Sequence, residues 1–390
     1  MTPATGTRLG LAKFQAPEVV FGPGSIDEAG FAAGRLGARR PFVVTDPGII
    51  EAGWADRLIG LLREAGLDPQ VWSSVSQNPK DHEVRAAYDH YRDRGADVII
   101  GIGGGSVMDA AKGVAVVAGN GGDILDFAGI DRMSHPLPPM LMIPTTAGTG
   151  ADVSQFCIVT DTTRLVKVTI MGRTLVPEVS ITDPDLLVTM PSWLSAATGL
   201  DALTHGIEAY VSLAHNPIAD LHALAAVEGV VTHLQPMFRQ PSDTGAGAGM
   251  AQASLNAGLA FSNAILGATH AMSHQVGGLL DAPHGVINGV LLPHVIRFNA
   301  PCHRFVRLAQ AAGAPSAYGA QDGADAAEFL AGRVEEIGRE LGVPTGLSGL
   351  GVTADNIPTL ARTTLQDACL TTNPRPASQH EIEALFEAAL

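Results

Sequence analysis

Basic side chains are scarce in this chain. Its 390 residues include 24 Lys and Arg against 39 Asp and Glu, so the formal net charge is −15 at pH 7. A protein of that charge repels a phosphate backbone instead of attracting it. The composition therefore argues against nucleic acid as a partner.

Cysteine is also rare. The three cysteines, Cys157, Cys302 and Cys369, are widely spaced and form no CxxC pair. This pattern excludes a disulfide framework and a zinc ribbon, and it suits a reducing compartment. Residues 1–10 lack the apolar core of a secretion signal. We therefore expect a cytoplasmic protein without a targeting segment.

Long apolar segments free of polar residues are missing as well. Residues 250–280 carry no Asp, Glu, Lys or Arg and are long enough to cross a bilayer. They include His270, His274 and several Asn, Gln and Ser side chains, which are costly in lipid. We predict no membrane contact and a helix buried in a large globular domain.

The first half of the chain alternates short apolar runs with helical patterns. Strand candidates are residues 41–45, 96–102 and 139–143, and helical spacing covers residues 52–65 and 84–94. Strands joined by crossover helices form a mostly parallel sheet. We therefore predict an α/β domain over residues 1–185, with a further hairpin formed by residues 155–160 and 166–170.

The second half changes to long helical stretches rich in small residues. These are residues 191–213, 217–238, 250–280, 324–341 and 380–389. Proline at the first turn, as at Pro191 and Pro217, suits a helix start. We predict an all-helical domain over residues 186–390 that packs closely against the first domain and leaves a cleft between them.

A glycine-rich segment, GIGGGSVMD at residues 101–109, follows a predicted strand and opens a helix. Such glycines let the backbone approach a pyrophosphate, and the helix N-terminus offers it free N–H groups. Ser106 and Asp109 have the spacing of a capping box. Because Ser106 replaces the last glycine of GxGxxG, a strand-to-helix turn without a ligand stays an alternative.

Two other polar loops follow predicted strands. Asp46 ends FVVTD, where a carboxylate binds a ribose hydroxyl or simply caps a turn. Residues 144–152, PTTAGTGAD, offer hydroxyls and glycines to a phosphate or a nicotinamide ribose. The carboxyl ends of parallel strands meet at one edge of the sheet, where open α/β sheets bind ligands. We expect all three loops to converge there.

The helical half contains histidines at helical spacing. Asp201 and His205 are four residues apart, as are His270 and His274, and His284 follows in a predicted loop. Residues four apart share a helix face. Each histidine alone is more often a hydrogen-bonded core residue, and Asp201 alone is often a cap. Together, they suit a first-row ion such as Fe(II) or Zn(II).

At this point the chain resembles a known family. Five segments resemble, in order and spacing, the iron-containing or group III alcohol dehydrogenases over essentially the whole length: GGGSVMDAAKG, PTTAGTGAD, ATGLDALTHGIEAYVS, AFSNAILGATHAMSHQVGG and PHGVINGVLLPHV. Two departures, Val107 where many relatives have Pro and Asp152 where many have Glu, affect only pocket detail.

The resemblance implies residue roles. Four metal ligands fall on Asp201, His205, His270 and His284, and His274 lies near the nicotinamide as a candidate for proton relay. An acid at the position of Asp46 favours NAD over NADP. The implied cofactor contacts are Asp46, Asn78, Gly103, Gly104, Gly105, Ser106, Asp109, Thr145, Thr146, Thr149, Lys167, Leu186 and Thr189.

The resemblance also implies a function. It is that of an NAD-dependent alcohol dehydrogenase or aldehyde reductase that uses Fe²⁺, or Zn²⁺ or another divalent ion, on a small primary alcohol or diol. A homodimer or larger homo-oligomer is expected, with Phe261, Ile265 and Leu266 shaping the pocket. Two alternatives stay open: a lyase of the dehydroquinate synthase type, and a redox-sensing regulatory protein that holds NAD tightly.

Overall fold

The computed structural model describes residues 12–164, 166–300, 302–315 and 323–390. Residues 1–10, for which we predict no targeting signal, lie outside the described part. The strands in the described part are β1 Glu18–Phe21, β2 Phe42–Val44, β3 Gln70–Trp72, β4 Ile99–Gly103, β5 Gly129–Ile130, β6 Met140–Pro144, β7 Phe156–Asp161, β8 Val166–Met171 and β9 Val179–Thr182.

The helices begin within the sheet region and continue to the end of the chain. Short 3-10 helices, among them Pro184–Thr189 and Ala368–Thr372, connect them. The α-helices described are α1 Ala29–Arg35, α2 Pro47–Glu51, α3 Trp54–Glu64, α4 Asp81–Asp93, α5 Gly105–Asn120, α6 Ser192–Val211, α7 Pro217–Arg239, α8 Thr244–Ala264, α9 Ala268–Leu280, α10 His284–Phe298, α11 Phe305–Ala311, α12 Gly323–Glu340, α13 Ile357–Thr364 and α14 Gln379–Ala388.

A six-stranded sheet in the order β1-β9-β6-β4-β2-β3 organises the first half, and every neighbouring pair is parallel. Side chains alternate along each strand, so Val43 and Ile100 pack with α1 and α3, whereas Phe42 and Ile99 pack with α4 and α5. Both faces are therefore covered, which explains the continuous apolar runs of the central strands.

The predicted α/β class is confirmed, with its mostly parallel sheet and a helical C-terminal part. The predicted hairpin is the antiparallel pair β7 and β8, which joins β5 in a second, small sheet. Strands β1, β3, β5 and β9, of two to four residues each, are missing from the sequence prediction. The domain boundary between residues 185 and 186 stays a prediction.

The single helix predicted over residues 250–280 is wrong. The chain forms α8, which begins already at Thr244, and then α9, with a break at residues 265–267. Ile265 has a φ of 60° at this break, a left-handed value that a β-branched residue rarely adopts. Apolar periodicity continues through the break, so the sequence pattern carries no signal for it. In the described residues, no helix meets the length and apolarity needed to cross a bilayer.

Helix α10 is absent from the prediction, which places His284 in a loop. The helix contains Pro293, and proline normally disrupts a helix interior. Pro293 is tolerated here within a helix whose inner face is buried against α6 and α12. The helix is important for the site because it begins at His284.

Lys112 ties the glycine-rich helix to the small sheet. Its side chain is completely buried on α5, and its ammonium donates to the carbonyls of Ser154 at 2.7 Å and Phe156 at 2.9 Å. Burial lowers the pKa of Lys112 to about 8, although Asp109 opposes the shift. This cation fixes the first residues of β7 against α5.

We predict that Lys112→Met lowers the free energy of unfolding by about 1–3 kcal/mol, because buried acceptors lose their donor while the side-chain length is kept. Urea-induced unfolding measures the change. Lys13→Met, at an exposed position, is the matched control and should leave the midpoint unchanged. Equal midpoints for the two variants would contradict the prediction.

Candidate functional site

A cavity of about 760 Å³ lies at the carboxyl ends of β2, β4 and β6, against α6 and α9. The three loops predicted to converge all reach it, since their strands are neighbours in the sheet. Of the sequence-predicted site residues, these line it: Asp46, Asn78, Gly104, Gly105, Ser106, Asp109, Thr145, Thr146, Thr149, Lys167, Thr189, Asp201, His205, His270, His274 and His284.

Two predicted cofactor residues lie apart from the cavity wall. Gly103 is buried as the last residue of β4. The side chain of Leu186 is fully buried in the core between the sheet, α1 and α3. The Leu186 side chain therefore packs in the core, and its segment, Pro184–Thr189, reaches the cavity through Thr189.

The glycine-rich segment forms the turn from β4 into α5. A side chain at Gly105 would come within 2.7 Å of Thr149, so only glycine lets this loop pack against residues 144–152. The predicted capping box is wrong: α5 already begins at Gly105, and its N-cap, Gly104, makes no side-chain bond. The hydroxyl of Ser106 instead accepts the N–H of Asn78 at 3.1 Å. The uncapped helix start fits a pyrophosphate.

The position of Asp46 is compatible with both roles that the sequence suggests, the helix cap and the contact with a ribose. It caps α2 by accepting the N–H of Ile49 at 3.0 Å, and it also lines the cavity. A carboxylate has two oxygens, so capping leaves acceptor capacity for a ribose hydroxyl.

Lys167 brings a partly buried cation to the same cavity. Its ammonium donates to Oδ1 of Asn78 at 2.8 Å, and burial lowers its pKa to about 8. The Asn78 amide in turn donates to Asp281 at 2.6 Å, which connects the loop before α4 to the end of α9. A lysine with one hydrogen-bond partner keeps donors for a ligand oxygen.

Asp201 and three histidines lie together at the helical end of the cavity. Oδ1 of Asp201 is 3.7 Å from Nε2 of His205, 3.6 Å from that of His270 and 3.8 Å from that of His284. These distances are too long for hydrogen bonds. Ligands of a tetrahedral ion with bonds of about 2.1 Å stand about 3.4 Å apart. The donor set therefore fits a divalent metal.

The charges in this cluster also favour a cation. Burial raises the pKa of Asp201, but the imidazoles around it outweigh this and hold the pKa below its ordinary value. Burial lowers the pKa of His205 to about 4, which keeps it in the neutral form that binds metals. His270 is different: burial lowers its pKa, but Asp201 and Glu208 together raise it to about 9.

Glu208 explains the behaviour of His270. Its buried carboxylate accepts Nδ1–H of His270 at 2.6 Å and the backbone N–H groups of Thr269 at 2.6 Å and Gly267 at 3.1 Å. One side chain on α6 thus caps the start of α9 and holds the imidazole so that its Nε2 points to Asp201. Carboxylate–histidine pairs of this kind orient metal ligands.

The sequence places His284 in a loop. In the structure it is the first residue of α10, and it reaches the cluster from that helix. Any side chain at Gly285 would collide with the carbonyl of Ala197, so glycine allows α10 to start directly against α6. The Asn288 amide, one turn later, donates to Asp201 at 2.8 Å. Its own carbonyl oxygen is buried without a partner among the described residues.

Three residues of the site escaped the sequence analysis. Glu208 lies seven residues after Asp201, and Asn288 lies four residues after His284. Helical spacing was therefore an available signal for both. Asp367, which contacts His274 at 2.9 Å, lies 93 residues away along the chain. No local pattern connects such a pair. Phe261 and Leu266 line the cavity as predicted, whereas Ile265 is not part of its wall.

Comparison with known proteins agrees with this geometry. Residues 16–184 match the family model described as iron-containing alcohol dehydrogenase, and residues 195–390 match the C-terminal model of the same family. The chain is 40% identical to the 1,3-propanediol dehydrogenase of Citrobacter freundii, over 95% of this chain and 96% of that protein. It is 36% identical to the NAD-dependent methanol dehydrogenase of Bacillus methanolicus, over 97% and 99%.

A solved structure of 1,3-propanediol oxidoreductase superimposes with a TM-score of 0.94 at 39% identity. The match covers 98% of this chain and 100% of that one. The likeness therefore includes both the sheet and the helical part.

We predict that Glu208→Gln weakens Fe²⁺ or Co²⁺ binding about 10- to 100-fold, because the glutamine keeps the size but loses the charge that orients His270. Competition with a chelator measures the dissociation constant. The control is Glu228→Gln, at an exposed position on α7. If both variants bind the metal as the unmodified chain does, Glu208 has no part in the centre.

Proposed function

The chain belongs to the iron-containing alcohol dehydrogenase family, and from this premise we propose that its cavity holds NAD and a divalent ion side by side around a small alcohol. Iron and NAD are the cofactors of this NAD-dependent alcohol oxidoreductase. One observation carries the assignment of the site. A glycine-rich helix start and the cluster of Asp201 with three histidines line the same cavity.

We assign Asp201, His205, His270 and His284 as the metal ligands. The ion, when bound, draws charge from the substrate oxygen, while the nicotinamide exchanges a hydride with the adjacent carbon. The four side chains hold a fixed oxygen and nitrogen donor set on α6, α9 and α10. Phe261 stacks on the His205 ring at 4.3 Å between centroids, and this packing shields the donors from water.

His274 is the proposed proton acceptor. It lines the cavity and stacks on His284 at 5.4 Å between ring centroids, so it stands beside the ligand cluster without joining it. Its Nε2 takes the proton that the alcohol hydroxyl releases, and in the reverse direction returns it to the product oxygen. Imidazole suits this exchange because one ring nitrogen can accept a proton while the other donates.

The substrate that fits this cavity is small and uncharged. Phe156, Phe261, Leu266 and Cys369 provide apolar lining. Among the described residues that line the cavity, Lys167 is the only Lys or Arg, and we assign it to the cofactor. A phosphorylated or acidic substrate would lack a partner, which argues against the lyase alternative. Primary alcohols and diols, as in the names of the similar propanediol and methanol dehydrogenases, agree with this lining.

We further infer a homodimer or larger homo-oligomer in the cytoplasm. Leu213 and Leu221 support the assembly, because these large apolar side chains are 65% and 71% exposed near the junction of α6 and α7. Burial of these side chains against another chain would remove apolar surface from water.

We predict that His270→Ala removes the bound metal and with it NADH formation from primary alcohols and diols. Metal analysis after anaerobic iron loading and a spectrophotometric assay with added NAD measure the two effects. His303→Ala, at an exposed position, should change neither. Full activity with no metal lost would refute the assignment, and an unmodified chain without sustained turnover would favour the redox-sensing alternative.

We predict that Asp46→Ser raises the ratio of kcat/KM with NADP to kcat/KM with NAD at least about tenfold, because like charges near the 2′-phosphate cost several kcal/mol. Serine keeps the helix cap, so the change isolates the charge. Asp243→Asn, at the partly buried N-cap of α8 and outside the cavity lining, is the control. An unaltered ratio would show that Asp46 only caps α2.

A further inference from the structure

Asp367, in the C-terminal segment, makes a hydrogen bond to the ring of His274. Its Nδ1 lies 2.9 Å from Oδ2 of Asp367, and the two side chains are only 7% and 9% exposed. A carboxylate accepts hydrogen bonds, so the proton of the neutral imidazole must stand on Nδ1. The other nitrogen, Nε2, is then left as an acceptor.

Asp367 is itself fixed in place. Its Oδ1 accepts the N–H of Cys369 at 2.9 Å, and its Oδ2 also accepts the Gln275 amide at 3.3 Å. Burial raises the pKa of Asp367, but the His274 ring and the Cys369 N–H outweigh this and leave the pKa below its ordinary value. The carboxylate therefore stays ionised and cannot donate to the imidazole.

The segment that carries Asp367 is anchored next to the site. Thr372, at the end of the 3-10 helix Ala368–Thr372, donates to the carbonyl of Leu266 at 2.6 Å. Leu266 lines the cavity and lies two residues before the start of α9. The position of Asp367 is thus tied to the helix that carries His274.

His274, Asp367 and Cys369 place donor atoms close enough together to raise the question of a second metal. The direct hydrogen bond between His274 and Asp367 argues against one, because an ion would have to displace it. Burial also raises the pKa of the Cys369 thiol well above its ordinary value, which disfavours the thiolate that metals bind. The contact is better explained as an orienting pair.

We propose that Asp367 is a positioning residue that holds the imidazole of His274 with Nδ1 bound and Nε2 free to face the reacting alcohol. The proposal rests on the proton-acceptor role assigned to His274. Without the carboxylate, no other described residue hydrogen-bonds Nδ1 of the ring and so selects its tautomer. Carboxylate–histidine pairs in other catalytic sites act in this way.

Asp367→Asn tests the proposal because it keeps the shape and allows the amide to donate to Nδ1, which places the proton on Nε2. We expect kcat to fall about 100-fold, while the KM for the alcohol, the iron content and the fluorescence titration with NADH stay near their original values. Asp355→Asn, an exposed change in the same C-terminal region, should leave all four unchanged.

A double-mutant cycle with His274→Gln separates this role from a merely structural one. Asp367→Asn should cost nothing further in the His274→Gln background. If the two losses multiply, or if Asp367→Asn alone leaves kcat unchanged, the inference is overturned while the role of His274 survives. If His274→Gln alone keeps full activity, the acceptor role itself fails.

Asp367→Glu covers the case in which the asparagine variant does not fold. It retains the charge but moves the carboxylate, so kcat should fall by less than with asparagine and again only when His274 is present. A loss of equal size in the presence and absence of His274 overturns the proposal.

Discussion

The helical half of this enzyme depends on one constraint, which is that the buried negative charge of Asp201 must be compensated. Asp201 is almost completely enclosed. The Asn288 amide donates one hydrogen bond to it, but its closest titratable neighbours are imidazoles that are too distant for good hydrogen bonds. Removing such a charge from water costs several kcal/mol unless a cation compensates it. The fold meets this cost with an oxygen and nitrogen donor set that suits a divalent ion. Glu208 adds a second buried negative charge and thereby strengthens the demand for a cation.

The two halves of the chain meet at this cluster because each contributes one end of the cavity. Parallel strands bring their loops to a single edge, and α6 passes close to that edge, where a ring nitrogen of His205 lies 3.3 Å from the carbonyl oxygen of Gly148. The same loop therefore touches a proposed metal ligand and, through Thr149, the glycine-rich helix start. Hydride transfer requires the substrate carbon and the nicotinamide to be in contact. This shared loop connects the end of the cavity proposed for the metal with the end proposed for the cofactor.

The sequence predicted the parts of the site that depend on local spacing. Asp201 and His205 share a face because helices repeat every 3.6 residues, and Asp46 and Gly105 converge because parallel strands end at one edge. It did not predict Glu208, which as a lone glutamate resembles an ordinary solvated residue. Asp367 was inaccessible for another reason: its partner is distant along the chain, and only tertiary packing brings them together. The break at Ile265 was hidden because the apolar pattern of α8 continues into α9.

The positive φ of Ile265 has a consequence for how this enzyme is inactivated by heat. A β-branched residue in that region stores about 1–3 kcal/mol, which the packing around it must offset. The stored energy lies three residues before Ala268, where the histidine-bearing helix starts. If the surrounding packing loosens, the backbone at Ile265 would be the first to change conformation. We therefore expect the molecule to lose its catalytic activity at temperatures where most of its helices are still intact.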